Sequence, residues 1–266
     1  MHDVRERLDE WLLFGGAAGA IGFVVVALIE GATRPGYSWW RHYVSQLATS
    51  DQGWMQEVNF IVAGLLIVGG AIGLGRSLPS ERGGTWGPRL IGLFGLSLVV
   101  AGLFATDPAL GYPPDAPARS PMTFHGLIHG LNAPVCFGLL TASTIVLGRH
   151  FRGYQSSRWL GGLSWAAAVV VVLSFIGATA CSVMDGSGAW PNAPTGLVQR
   201  IGICAGWFWF AAVAFWERKA RRPMRPQTSG RQEPPASHTA PGAAARGRVV
   251  RHAHSRRAIP CSPAAE

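Results

Sequence analysis

Six long apolar runs organise this chain, over about 11–29, 58–75, 88–106, 122–148, 159–180 and 197–216. Together they hold only two formally charged side chains, Arg89 and Arg200. A bilayer core about 30 Å thick is crossed by about 20 residues of helix. No water is present in hydrocarbon to satisfy backbone N–H and C=O groups, so each run must pair them internally, and helix is the solution for single segments of this length. The runs predict an all-α integral membrane protein, a bundle of six transmembrane helices. Residues 1–10 are polar and of mixed charge, and no small-x-small cleavage pattern ends the first run, so that run is expected to span rather than to be a cleaved signal peptide. The third run is short and is expected to borrow Trp86 to Arg89 at one end and Thr106 at the other.

Charge divides the chain unevenly. Residues 1–216 carry 12 Lys/Arg against 11 Asp/Glu, whereas residues 217–266 carry 11 against 3. The net charge of +9 therefore belongs to the tail, and a nucleic-acid-binding function for the whole protein loses its main support. The tail is rich in Pro, Ala, Ser and Arg with few large apolar residues, a composition that cannot bury a core and is expected to be disordered. Its first basic residues, Arg218, Lys219, Arg221, Arg222 and Arg225, are placed to attract anionic lipid.

Lys and Arg in short loops set the expected orientation. Arg76, Arg82 and Arg89 lie between helices two and three, and Arg149, Arg152 and Arg158 between four and five. The other face has Arg34, Arg41, Arg119 and Arg200 over longer loops. Both termini are expected inside, with a cell-membrane location. Trp11, Trp86, Trp159 and Trp216 then fall at the inner boundary, and Trp39, Trp40, Trp54 and Trp190 at or beyond the outer one, as two aromatic belts require. The G-x-x-x-G pairs Gly15/Gly19, Gly69/Gly73 and Gly126/Gly130 are expected to let helices of one bundle approach closely. Cys136, Cys181 and Cys204 are expected mainly as small core residues, with a Cys181–Cys204 bridge conceivable.

Polar residues gather in the three loops of the expected outer face. The first holds GYSWWRHYVSQLATSDQGWMQE, in which His42 and Ser45 share a face if Trp40 to Ala48 forms a short helix. The second runs from Asp107 through a Pro-rich segment into helix four. The third holds Asp185 and leads to Gln199 and Arg200. On helix four, His125, His129, Asn132 and Cys136 align as a polar stripe about 16 Å long, which must face protein or water rather than lipid. Pro134 lies beside that stripe, and Ser120-Pro121 or Thr123 is positioned to start the helix.

The elements W-R-H-Y-V-S-Q-L at 40–47, T-D-P at 106–108, T-F-H-G-L-I-H at 123–129 and G-L-V-Q-R at 196–200 resemble the bacterial membrane family called domain of unknown function 998. The resemblance covers about residues 10–217. Ala105 stands where that pattern leads one to expect proline. It implies a multi-pass fold and its topology, but no activity.

Three functional classes fit the polar cluster. In a membrane-embedded metal-dependent hydrolase, His125 and His129 would chelate Zn²⁺ from adjacent helical turns, with Asp107 or His42 completing the site and Ser45 or Asp185 behind it. In a binding or transport protein, the pocket would take a lipid headgroup or small solute, and the start of helix four would favour an anion. In a structural protein, Asp107 with Arg200 and His42 with Ser45 would be satisfied pairs.

Overall fold

The computed structural model describes residues 2–117 and 120–221. Within them are six long helices: α1 (His2–Thr33), α2 (Trp54–Ser77), α3 (Arg82–Leu103), α4 (Phe124–Arg152), α5 (Arg158–Gly186) and α6 (Thr195–Arg221). Each contains a stretch long and apolar enough to cross a membrane. The chain is a multi-pass membrane protein with a six-helix bundle, as the apolar runs predict.

The helices outrun the apolar stretches that announce them, because polar flanks continue the helical hydrogen bonding beyond the hydrocarbon. Residues 2–10 are the first turns of α1 rather than a separate polar segment. There Asp9 receives a hydrogen bond from Arg76 of α2 at 3.0 Å. α3 departs from expectation at both ends. It begins at Arg82, with Pro88 inside it, and stops at Leu103, which leaves Thr106 in the following loop. Of the basic cluster, Arg218 and Lys219 belong to the last turns of α6. Arg222, Arg225 and the expected disorder of the tail lie outside the described residues.

The helices form a ring in chain order, each packed mainly on its sequence neighbours, with α6 closing against α1. Small residues set the closest approaches. A Cβ on Gly16 of α1 would lie 2.7 Å from the Cα of Gly70 on α2. Gly64 and Gly95 bring α2 and α3 together in the same way. Of the expected pairs, Gly15/Gly19 and Gly69/Gly73 lie at the α1–α2 contact, whereas Gly126 meets the Asp107 carboxylate and a Cβ on Gly130 would meet nothing within 4 Å. The centre is filled by Phe23, Phe94, Trp207, Trp209 and Phe210. Cys136, Cys181 and Cys204 are all free thiols, so the conceivable Cys181–Cys204 bridge does not form.

The two ends of the bundle differ. At one, residues 78–81 and 153–157 make short connections. At the other, three longer segments (34–53, 104–117 with 120–123, and 187–194) fold together into a cap. The short helix expected over Trp40 to Ala48 is instead a 3-10 helix over Val44–Thr49, with Val44, Gln46, Leu47 and Ala48 buried.

Candidate functional site

The cap is built by side chains that read backbone. Arg200, one turn into α6, donates to the carbonyls of Trp39 (2.9 Å) and His42 (3.0 Å) and to the Tyr37 hydroxyl. Its neighbour Gln199 accepts from the Val44 N–H at 2.8 Å. The first N–H groups of a helix have no intrahelical partner. In α6 those of Gly196 and Leu197 are satisfied by the carbonyl of Trp40, at 2.9 and 3.1 Å. Gly196 permits this approach, since a Cβ there would lie 2.7 Å from the Trp39 carbonyl oxygen. The G-L-V-Q-R segment is thus a clamp on the loop over residues 39–44.

The rest of that loop reaches the other segments. Arg41 grips Asp185 in the last turn of α5 through two hydrogen bonds, Nε to Oδ2 at 2.7 Å and Nη2 to Oδ1 at 2.9 Å. Asp185 has almost no exposed side chain, so Arg41 neutralises a buried charge. His42 accepts from the Ser38 N–H through Nδ1 at 2.9 Å. Its proton must then sit on Nε2, which lies 3.1 Å from the Leu110 carbonyl and donates to it. Burial lowers the His42 pKa, with a smaller contribution from the nearby Arg41 and Arg200 charges, partly opposed by the Leu110 hydrogen bond and by Asp185. Burial likewise pushes the Tyr37 hydroxyl up to about 12 in spite of Arg200 beside it. Gln46 donates to the Ala109 carbonyl and accepts from the Tyr43 N–H at 2.8 Å. Leu110 is a non-glycine residue with φ of 55°, in the left-handed region. Burial of its side chain and the His42 hydrogen bond offset a cost of about 1–2 kcal/mol.

Asp107 serves α4. Its carboxylate accepts from the Thr123 N–H at 2.9 Å and from the Thr123 hydroxyl at 2.6 Å, while that hydroxyl accepts from the Gly126 N–H at 3.0 Å. A carboxylate at a helix N-terminus is favoured by the helix dipole. Gly126 is required here, since any Cβ would overlap the carboxylate. The anion expected at the start of helix four is therefore the protein's own.

Several expected pairings differ. Asp107 meets Thr123, not Arg200, and His42 meets Leu110 and Ser38, not Ser45. His125 is exposed, its ring beside Phe104 and Phe124, because it lies past the end of the helical contacts. The α4 stripe continues inward as His129, which faces the Phe104 carbonyl at 2.8 Å, and Asn132, which donates to the Ser97 carbonyl at 2.8 Å. Among the described residues no three His, Cys, Asp or Glu side chains are grouped to hold a metal ion. His42, Asp107, His125 and His129 do not converge, and both nitrogens of His42 are already engaged. Thr123 caps α4, one of the two starts expected for that helix. Tyr37, Arg41 and Gln46 are cap residues that the motif reading passed over, although Arg41 and Gln46 lie inside a quoted motif and Tyr37 in the same loop.

Beneath the cap lies a cavity of about 440 Å³ inside the ring. Its roof is Tyr43, Val44 and Ser45, and its floor is apolar and aromatic, including Phe23 and Trp207. His129, Asn132 and Gln199 line its wall. Among the described residues the Ser45 hydroxyl has no hydrogen-bond partner in the protein, and the buried indole N–H of Trp207 has none either. The carbonyl oxygen that faces His129 Nδ1 can only accept, so that nitrogen carries the ring proton. Trp207 gave no sign in the sequence, because an aromatic residue within an apolar helix is ordinary core.

No curated protein and no solved structure matches the chain. One family model does, over residues 17–216, and it is described as a protein of unknown function (DUF998).

Proposed function

The chain belongs to the DUF998 family, whose description carries no activity, and from the geometry we propose that it is a binding protein for a small amphipathic molecule of the membrane. The cavity carries this proposal. Its volume falls in the range of about 300–1,000 Å³ usual for ligand sites, and it joins an apolar floor to a few placed polar groups. A buried polar group without a partner costs free energy, and a bound molecule that pairs with it recovers that cost. The proposal places the cap end outside the cell membrane, in line with Arg76, Arg89, Arg149, Arg152 and Arg158 at the other end. Arg218 and Lys219 then sit where anionic inner-leaflet lipid would meet them.

The test is direct. Purified protein should gain thermal stability with a bound amphiphile such as a monoacylglycerol. Ala133→Trp, which projects from α4 into the cavity, should abolish the gain while leaving the helical spectrum intact. No stabilisation of the natural protein by any amphiphile, or an equal gain in the filled variant, would sink the proposal.

A further inference from the structure

The cavity lies under a closed roof but between helices that do not close on each other, and this difference points to a route and a ligand class. At the inner ends α4 and α5 touch. A Cβ on Gly161 would lie 3.0 Å from the Gly148 carbonyl oxygen and 3.1 Å from the Arg152 nitrogen. Midway the rings of Phe137 and Phe175 still meet, with centroids 5.0 Å apart. Closer to the cap the helices part. Gly130 and Pro134 of α4 and Thr179 of α5 are all exposed on the membrane-facing surface, yet all three line the cavity. A Cβ on Gly130 would meet nothing within 4 Å.

Pro134 adds a chemical feature to this gap. A proline inside a helix has no N–H for the carbonyl four residues earlier, which here is Gly130. That carbonyl is left without its helical partner at the mouth of the cavity, where hydrocarbon offers none either. Acceptors on the lining include the Gly130 carbonyl and the Asn132 amide oxygen, and donors include the Trp207 indole and the free Ser45 hydroxyl. No lining residue is Asp, Glu, Lys or Arg. A hydroxyl group donates and accepts at once and matches this set. An ionised headgroup would be buried without a counter-charge.

We infer that the cavity takes an uncharged, hydroxyl-bearing single-chain amphiphile, and that it enters sideways from the bilayer between α4 and α5. The inference rests on the binding function proposed above. The roof blocks the aqueous route, since Val44, Leu47 and Ala48 are buried beneath the clamp of Arg200. The lateral gap faces the phase in which such a molecule is dissolved.

The natural protein in nanodiscs is titrated with monooleoylglycerol and with oleoyl lysophosphatidylglycerol, which share a chain and differ in charge. The neutral probe should bind at least about tenfold more tightly. Exchange of bound monooleoylglycerol into empty nanodiscs is then timed. Gly130→Trp on α4 and, separately, Thr179→Trp on α5 should slow it by about tenfold or more, and Trp40→Ala in the cap should leave it unchanged. Equal or tighter binding of the lysophospholipid overturns the ligand class while the binding function stands. Faster exchange in Trp40→Ala with no slowing in either portal variant overturns the route. If neither probe binds, the cavity's role in binding falls as well.

Discussion

The cap and the cavity beneath it both use polar side chains, and they use them in opposite ways. In the cap, Arg200, Arg41, His42, Gln46, Gln199 and Asp107 all have partners, many of them backbone groups. In the cavity, Ser45 and the Trp207 indole lack partners among the described residues. A network satisfied in nearly all its polar groups, the Thr195 hydroxyl and one Glu30 oxygen excepted, holds three loops in one arrangement, whereas unpaired groups around an empty volume wait for something to pair with. The difference separates architecture from site within one end of one bundle.

Breaking the cap should have the largest effect on stability. Arg41→Met leaves the Asp185 carboxylate buried without its counter-charge and should cost about 3–5 kcal/mol in detergent unfolding. Arg200→Met strips three cap contacts at once and should cost about 2–3 kcal/mol. A pH dependence should follow from His42. Its pKa is lowered in the folded protein, so its contribution is complete above the unfolded value of about 6.5 and is lost as pH falls through the folded value. A proton added to Nδ1 would face the Ser38 N–H. Melting temperature should therefore drop as pH falls below about 6.5, with a shallower slope in His42→Gln. Asp107→Asn weakens the start of α4 and should cost about 1 kcal/mol. Ser45→Ala should change stability by no more than about 0.5 kcal/mol, yet weaken amphiphile binding. A large stability loss from Ser45→Ala would place Ser45 with the cap and blur the division.

The bundle was legible because hydrocarbon leaves a chain few choices, and six apolar runs state the result directly. Helix ends were less so, since residues 2–10 and 181–186 continue a helix without being apolar. The sequence marked the cap residues His42, Asp107, Asp185 and Arg200, but not which groups they pair with. Those are largely carbonyls and N–H groups, such as Leu110, Trp39 and Trp40, and every residue type carries them. The i, i+4 spacing of His125 and His129 suggested a shared ligand, but the helix passes out of the bundle between them, leaving one exposed and the other buried. The cavity has no signature in the chain, because its floor is made of residues that fill a core anywhere else.

The circular order of the helices has a consequence for biogenesis. Each helix packs on the one made before it, so most of the bundle can assemble as it is inserted. The loop over residues 39–44 is the exception. It emerges early, but the Arg200 side chain that fixes it is 161 residues downstream of Trp39. A chain stopped after α5 would carry five correctly threaded helices and an unfastened cap. The sixth of the described helices is the one that locks the first loop and completes the chamber below it.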